Sequence, residues 1–163
     1  MQVLVTGGLG YIGSHTSVLL LEKGYDLVIV DDLSNSNIEV LENIYRITGK
    51  KPVFEKLDLK DKKAVSTLFK KYDFNGIIHF AAHKSVNESV NFPEKYFSNN
   101  VGSLENIIAE TKLLDKPMNF IFSSSCTVYG QADSMPIDES FPLKEPESPY
   151  GQSKRECEEI LKK

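Results

Sequence analysis

The sequence is poor in the residues and patterns that mark several classes of protein. It has no tryptophan and two cysteines, and Cys126 and Cys157 show neither metal-site spacing nor a disulfide framework. No apolar run approaches the length of a membrane span, about 20 residues, and no apolar leader precedes the first strand pattern. The net charge of −4 leaves no basic footprint for nucleic acid. We therefore expect a cytoplasmic protein that binds neither nucleic acid nor membranes.

Short apolar runs alternate with helical patterns along the chain. The candidate strands are Gln2–Thr6, Asp26–Val30, Pro52–Lys56, Gly76–Phe80 and Asn119–Ser123. The candidate helices are Tyr11–Lys23, Ile38–Thr48, Lys60–Lys71, Pro93–Leu114 and one that begins near Tyr150. The strand cores are continuously apolar, which is typical of strands covered on both faces. Repeated strand–helix–strand units predict an α/β fold, a Rossmann-like doubly wound parallel sheet. The proline-rich segment 130–149 is predicted to be an irregular, functional loop.

Three regularly spaced glycines connect the first strand to the first helix. Gly7, Gly10 and Gly13 follow a strand and open a helix, as a dinucleotide-binding loop requires. The first allows the tight turn, the second lets the backbone approach a pyrophosphate, and the third lets helix and strand pack closely. The helix N-terminus then offers N–H donors to the anion. The spacing differs by one residue from G-x-G-x-x-G, so a tight turn without a ligand stays the alternative.

Acidic residues follow the second and third candidate strands. Asp31 comes about twenty residues after the glycine loop, where a carboxylate accepts hydrogen bonds from the adenosine ribose hydroxyls. Because a carboxylate there repels a 2′-phosphate, the pattern favours NAD over NADP. Asp58 lies at the same predicted edge of the sheet, where ligand contact and helix capping are equally compatible with its position.

A tyrosine and a lysine four residues apart open the last predicted helix. Tyr150 and Lys154 lie on one helical face, where the ammonium can stabilise a phenolate and lower the pKa of the phenol from its usual value of about 10. Upstream, Ser123-Ser124-Ser125 ends the fifth strand and supplies a hydroxyl that can share the proton. A Tyr-x-x-x-Lys pair is frequent by chance, so its weight comes from its place after five strands and a glycine loop. The combination predicts hydride chemistry on an alcohol carbon.

The whole chain resembles the extended short-chain dehydrogenase/reductase superfamily and, within it, the epimerases that act on UDP-glucose. Besides the glycine loop, the resemblance lies in segments 31–36, 78–86, 122–130 and 148–154, and the most specific part is Ser-Ser-Ser-x-Thr-Val-Tyr-Gly at 123–130. The chain departs from the commoner family form at two places. Ala82-His83 stands where Gly-Leu is frequent, and Gly102-Ser103 replaces the usual x-Gly before Thr. The second departure leaves the register around Asn99 and Asn100 open.

The resemblance implies a role for each matching position. It makes Ser125, Tyr150 and Lys154 catalytic, with Lys154 also holding the nicotinamide ribose and tuning Tyr150. It implies NAD contacts for a larger set: Gly7, Gly10, Tyr11, Ile12 and Gly13 at the pyrophosphate, Asp31, Asn35 and Ser36 at the adenosine ribose, Asp58 and Leu59 at adenine, Phe80, Ala81, Lys84, Tyr150 and Lys154 on the nicotinamide side, and Asn99 elsewhere near the cofactor.

The implied activity is the interconversion of UDP-glucose and UDP-galactose by transient NAD-dependent oxidation at sugar C4. Two alternatives are another nucleotide-sugar epimerase or dehydratase of the superfamily, and a non-catalytic dinucleotide-binding module. Dehydratases carry an Asp-Glu pair where this chain has Cys126 and Thr127. A binding module has no need of Ser125, Tyr150 and Lys154 together. The dehydratase and the binding module therefore fit the residues less well, whereas the choice among UDP-glucose, its N-acetyl form and a pentose or uronate relative stays open.

The resemblance also predicts how much of the enzyme this sequence contains. We expect residues 1–163 to form an NAD-binding Rossmann-like domain that is incomplete and lacks the substrate domain. On this view most of the UDP-sugar site lies beyond Lys163, and the fragment by itself is inactive. The full-length protein is expected to bind a UDP-sugar and to form a homodimer.

Overall fold

The computed structural model describes residues 1–114 and 116–163. Within them lies a parallel sheet with strand order β3-β2-β1-β4-β5. The strands are β1 (Gln2–Thr6), β2 (Asp26–Asp31), β3 (Val53–Lys56), β4 (Gly76–His79) and β5 (Asn119–Phe122). The chain adds β2 and then β3 on one side of β1. It then crosses back and adds β4 and β5 on the other side. The prediction of a Rossmann-like doubly wound parallel sheet is confirmed.

Helices connect the strands and continue beyond the last one. They are α1 (Tyr11–Glu22), α2 (Glu39–Thr48), α3 (Lys62–Lys71), α4 (Val86–Asn91), α5 (Pro93–Tyr96), α6 (Gly102–Thr111) and α7 (Pro149–Leu161). A π-helical turn, Phe97–Val101, joins α5 to α6, and a 3₁₀ turn, Cys126–Tyr129, follows β5. No helix within the described ranges is both long enough and apolar enough to cross a membrane.

The continuous apolar runs form strands because both faces of the sheet are covered. Successive strand residues point to opposite faces, and neighbouring residues of β1 accordingly enter different cores. Leu4 packs with Val28, Val30 and Ile77 on one face. Val3 and Val5 pack on the other with Leu27, Ile29 and Ile44. Each fully buried side chain of this size contributes about 1.5–3 kcal/mol.

Two helical predictions need correction. The predicted helix Pro93–Leu114 is three pieces, because the chain widens into the π turn at Phe97–Val101 before α6 begins. The short helix α4 was not predicted, since six residues are too few to show a helical period. Ser85 caps it by accepting a hydrogen bond from the Glu88 N–H at 3.3 Å.

The predicted start of α3 at Lys60 is two residues early because Asp61 is the residue that caps the helix. Its Oδ1 accepts hydrogen bonds from the N–H groups of Lys63 and Ala64 at 2.9 and 3.1 Å. Asp58 instead accepts from the Lys60 N–H at 2.9 Å, within the turn that precedes the helix. The capping role that its position left open therefore belongs to Asp61.

The chain divides into two compact units. Met1–Ala81 and Asn106–Ser123 form the first, called here the sheet unit, which contains the five strands. Ala82–Glu105 and Ser124–Lys163 form the second, the helical unit, which contains α4, α5, both irregular helical turns and α7. The assignment of residues 1–163 to one dinucleotide-binding domain stays a prediction.

Candidate dinucleotide and acid–base sites

The glycine loop of the sheet unit leaves no room for side-chain atoms at two of its three predicted positions. Gly7 has a φ of +63°, and a Cβ there would lie 2.7 Å from the Ala81 backbone nitrogen. A Cβ at Gly13 would lie 2.2 Å from the Gly7 carbonyl oxygen. The loop turns sharply at Gly7, and α1 packs against that turn at Gly13. This is the close approach of strand, turn and helix that a pyrophosphate-binding loop needs.

The N-terminus of α1 presents backbone donors beside the loop. Gly10 is its N-cap and has no side chain to accept a hydrogen bond from the first-turn N–H groups. Tyr11 and Ile12, which the resemblance places at the pyrophosphate, form the exposed first turn, and Tyr11 is 78% exposed. Because first-turn N–H groups and the helix dipole both favour an anion, the arrangement suits a phosphate.

Asp31, at the end of β2, connects the glycine loop to the loop that follows β2. Its Oδ2 accepts a hydrogen bond from the Leu9 N–H at 3.1 Å. Its Oδ1 accepts from the Leu33 N–H at 3.0 Å and from the Ser36 hydroxyl at 2.7 Å. An ionised carboxylate has about four acceptor positions, so these three bonds leave capacity for a ribose hydroxyl. The carboxylate therefore both orders the two loops and can still bind a ligand.

The remaining predicted adenosine contacts differ in exposure. Asn35 and Asp58 are exposed and so available to a ligand. Ser36 already binds Asp31, which places it in the same network as its predicted partner. The Leu59 side chain is 5% exposed and packs in the core. A contact between Leu59 and adenine would therefore have to use its backbone.

The end of β4 carries the predicted nicotinamide-side residues of the sheet unit. Phe80 donates a backbone hydrogen bond to the Thr6 carbonyl at 3.1 Å, which keeps it beside the end of β1. Ala81 is half-buried, and its N–H lies 3.4 Å from the Thr6 hydroxyl oxygen. The same hydroxyl lies 2.7 Å from Nδ1 of the buried His79. The structure thus places Ala81 next to Gly7, with the Ala81 N–H directed to the Thr6 hydroxyl.

In the helical unit, the first two turns of α7 carry Tyr150 and Lys154. Ser148 caps this helix by accepting from the Gly151 N–H at 3.1 Å, and Pro149 occupies the first helical position. Tyr150 is half-buried, whereas Lys154 is 3% exposed. Burial lowers the pKa of Lys154 to about 8, because desolvation disfavours the ammonium. A buried lysine one turn after a tyrosine is the arrangement predicted for a proton-transferring pair.

Ser125 belongs to the 3₁₀ turn that packs against the start of α7. Its hydroxyl oxygen accepts a hydrogen bond from the Thr127 hydroxyl at 2.9 Å, which leaves the Ser125 proton to donate elsewhere. A Cβ on Gly151 would lie 3.0 Å from the Thr127 carbonyl oxygen. The glycine inside Tyr-Gly-x-Ser-Lys therefore allows α7 to approach the turn that carries Ser125.

The sequence did not indicate that Asn100 connects several elements of the helical unit. It also left open how Asn99 and Asn100 align with the family pattern. Asn100 is 2% exposed, and its side chain donates to the His83 carbonyl and to the Ser153 hydroxyl, both at 3.0 Å. Its Oδ1 accepts from the His83 N–H at 2.8 Å and from the Asn99 side chain at 3.2 Å. Asn100 thus joins the π turn to α7 and to the loop that carries the exposed Lys84.

Ser124 is fixed by a contact that the sequence did not indicate. Its hydroxyl donates to Glu158 Oε1 on α7 at 2.5 Å. The only available signal was a run of three serines, which does not say which hydroxyl is occupied. Because Ser124 is engaged in this bond, Ser125 is the better candidate of the two for substrate contact.

Fold and local geometry together define a class of protein, a Rossmann-type nucleotide-binding fold of the short-chain dehydrogenase/reductase kind. The chain belongs to the family described as GDP-mannose 4,6 dehydratase, which matches residues 4–163.

Individual relatives are UDP-glucose 4-epimerases. The chain is 48% identical over 163 residues to that of Schizosaccharomyces pombe, which covers 98% of this chain and 45% of the relative. It is 48% identical over 162 residues to that of Yersinia pestis, covering 99% of this chain and 47% of the relative. The structure of UDP-glucose 4-epimerase from Bifidobacterium longum in complex with NAD+ and UDP has a TM-score of 0.95 at 40% identity, covering 99% of this chain and 48% of that chain. The chain spans about half the length of the curated relatives it matches.

Proposed function

We propose that this chain is the NAD-binding part of an enzyme that interconverts UDP-glucose and UDP-galactose. The observation that carries the proposal is the position of Tyr150 one helical turn before the buried Lys154 in a chain that also has the glycine loop and Asp31. The UDP-glucose 4-epimerases at 48% identity and the neighbour crystallised with NAD+ and UDP support it. A binding module would need the loop and Asp31 alone.

The sheet unit has the features that NAD requires. The backbone approach at Gly7 and Gly13 provides a cradle that a Cβ would fill. The first-turn N–H groups of α1 suit the pyrophosphate, and Asp31 suits a ribose with free hydroxyls. We propose the pyrophosphate, ribose and adenine contacts as the resemblance gives them, with Leu59 acting through its backbone.

The helical unit supplies the acid–base groups. We assign Tyr150 to remove the proton from the sugar 4-hydroxyl and Lys154 to stabilise the resulting phenolate by its charge. Ser125 donates a hydrogen bond to the same sugar oxygen, since Thr127 already satisfies an acceptor position on its hydroxyl. Lys84 and Asn99 are proposed cofactor contacts. Positioned general acid–base groups contribute typically about 10²–10⁴-fold to a rate.

The glycine loop and Asp31 would hold NAD, which would supply a hydride acceptor for sugar C4. Because the hydride returns to the opposite face of C4, the configuration changes while no cofactor is consumed. The protein is then an isomerase.

A dehydratase would need further acid and base groups for the loss of water. The family description names a dehydratase, but the positions that carry Asp-Glu in such enzymes hold Cys126 and Thr127 here. The Thr127 hydroxyl is engaged with Ser125, and a threonine does not ionise at working pH. These two residues favour the epimerase.

We also propose that the full-length protein is a cytoplasmic homodimer. Members of the superfamily pair through helices that correspond to the segment after Pro93. In this chain Val90 and Phe92, just before that segment, are 61% and 60% exposed. Sedimentation of the full-length gene product checks the dimer directly.

The reaction is tested by incubating the full-length gene product with UDP-galactose in D₂O and resolving the products. We expect UDP-glucose with protium retained at C4, because the hydride travels through the cofactor and does not exchange with solvent. A 4-keto-6-deoxy sugar would identify a dehydratase. NAD binding without conversion of any UDP-sugar would identify a binding module. Either outcome would overturn the proposal.

A further inference from the structure

Tyr96, which no prediction singled out, lies at the end of α5 in the helical unit with a side chain that is 0% exposed. Its hydroxyl donates a hydrogen bond to Glu88 Oε2 at 2.7 Å and accepts one from the Ser85 N–H at 3.1 Å. Glu88 in turn forms an ion pair with Lys95 at 2.7 Å. Two hydrogen bonds on a buried hydroxyl fix the direction of the phenol and so the position of the ring.

The fixed ring of Tyr96 contacts two candidate site segments. Its centroid lies 6.3 Å from that of Tyr150 with an interplanar angle of 79°, an edge-to-face arrangement. It also lies 5.6 Å from the ring of His83, the residue before Lys84. Edge-to-face aromatic pairs have a preferred geometry and contribute beyond area burial. Tyr96 thus packs against both α7 and the loop at 82–85.

The backbone of Tyr150 is held separately from its ring. The Tyr150 carbonyl accepts a hydrogen bond from the Ser153 hydroxyl at 2.7 Å, and Ser153 is bonded to Asn100. The hydroxyl of a tyrosine lies on the axis of its ring, so its direction is set by the first side-chain torsion, which has three staggered wells. Backbone contacts therefore do not set the direction of the Tyr150 hydroxyl, so the packing around its ring must do so.

We propose that Tyr96, held by Glu88 and the Ser85 N–H, is a positioning residue that holds the Tyr150 side chain in one rotamer. The proposal rests on the proposed function for its effect on turnover, but its structural part concerns Tyr150 alone. Loss of the Tyr96 ring lets the Tyr150 hydroxyl sample directions that do not reach the substrate. Small misplacements of a reacting group cost up to about 10² in rate, so kcat falls while substrate affinity is kept.

The sheet unit contains a matched control. There Tyr72 donates to Glu55 Oε1 at 2.5 Å, and Glu55 pairs with Lys71 at 2.7 Å. This is the same lysine–glutamate–tyrosine arrangement, but the ring of Tyr72 packs on Phe74, at 5.8 Å. Tyr72→Leu, Tyr72→Phe and Glu55→Gln therefore remove equivalent interactions without touching the Tyr150 ring.

The experiment compares Tyr96→Leu, Tyr96→Phe and Glu88→Gln with these controls in the full-length gene product. For Tyr96→Leu we expect kcat on UDP-galactose to fall about tenfold or more, with KM and bound NAD within about twofold of wild type. The kcat–pH profile of Tyr96→Leu should differ from that of wild type. Tyr96→Phe and Glu88→Gln, which keep the ring but loosen its anchor, should lower kcat less than Tyr96→Leu does. The controls should leave both kcat and the profile unchanged.

A second readout does not depend on turnover. Tyrosine labelled with ¹³C at Cζ, with the Tyr150 signal assigned by Tyr150→Phe, reports the titration of this phenol by NMR. Tyr96→Leu should move or broaden the Tyr150 resonance, and Tyr72→Leu should not. If wild type does not convert UDP-galactose, the proposed function fails while this readout still decides the role of Tyr96.

The proposal is overturned if Tyr96→Leu and Tyr72→Leu alter kcat and the Tyr150 resonance equally. Should Tyr96→Leu fail to fold, Glu88→Gln and Tyr96→Phe carry the test, since each keeps the ring but loosens its anchor. An unchanged Tyr150 resonance in both would then contradict the positioning role.

Discussion

The sheet unit and the helical unit build their candidate sites from different parts of the chain. In the sheet unit the site consists mainly of backbone brought close at Gly7 and Gly13, with Asp31 as its main side chain. In the helical unit it consists of side chains, Ser125, Tyr150 and Lys154, supported by other side chains. Side-chain atoms added at the glycines disrupt the site of the sheet unit. Removal of side-chain atoms disrupts the site of the helical unit.

The two units also differ in the surroundings of their charged side chains. The Asp31 carboxylate is held by two backbone N–H groups and a hydroxyl. Lys154 is buried so that its charged form is disfavoured, and its pKa falls to about 8. The sheet unit thus holds a carboxylate in a fixed position, where a ligand can bind to it. The helical unit keeps a charge that can respond to proton transfer.

Adding one carbon at Gly13 should have the largest effect on the sheet unit. A Cβ would meet the Gly7 carbonyl oxygen at 2.2 Å, so α1 must move away from the loop that binds the pyrophosphate. We expect Gly13→Ala to abolish measurable NAD binding in a calorimetric titration of the full-length gene product. Gly102→Ala is the control, because a Cβ there has no described atom within 4 Å and its φ is −61°. Wild-type affinity in Gly13→Ala would remove the loop from the cofactor site.

Removing the Asp31 carboxylate should have the next largest effect. Hydrogen bonds to a charged group contribute about 1.5–3 kcal/mol each, so Asp31→Ala should weaken NAD binding about ten- to a hundredfold. The preference for NAD over NADP should narrow, because the repulsion of a 2′-phosphate disappears. Parallel titrations with both dinucleotides measure this ratio. Equal affinity of wild type for NAD and NADP would contradict the assigned role.

The buried charge of Lys154 gives a prediction for stability and not for binding, a change in the pH dependence of stability. The pKa of about 8 in the folded state lies below the usual 10.5. Between these values the unfolded state binds more protons, so stability rises with pH across that window. The rise attributable to Lys154 is about 2–3 kcal/mol between pH 7 and pH 10. Urea unfolding at both pH values should show this rise in the free energy of unfolding for wild type and not for Lys154→Met. If the free energy of unfolding changed with pH equally in the two proteins, Lys154 would not be desolvated in the folded state.

The strands could be predicted well because local sequence determines them. β1 has the predicted bounds Gln2–Thr6, and the other four differ by one residue at one end. A continuous apolar run bounded by polar residues specifies a strand covered on both faces. The glycine loop was equally readable, since its steric demands involve backbone at fixed spacing.

The π turn and the environment of Tyr150 could not be predicted because they depend on contacts distant in sequence. Asn100 bonds Ser153, 53 residues later, and nothing in a pair of adjacent asparagines shows which one is buried. The contact of Tyr96 with Tyr150 likewise exists only once α5 and α7 pack together. Side-chain sites of this kind become visible with the structure, whereas the backbone site is visible in the sequence.

The central claim is that the Tyr150 hydroxyl performs acid–base chemistry and that NAD binding does not need this hydroxyl, because Tyr150→Phe keeps the ring. The most direct measurement is the turnover of UDP-galactose by Tyr150→Phe in the full-length gene product, with bound NAD quantified in the same samples. We predict unchanged NAD content and a loss of turnover of at least about 10²-fold, with a smaller loss for Ser125→Ala. Near wild-type turnover by Tyr150→Phe would contradict the account.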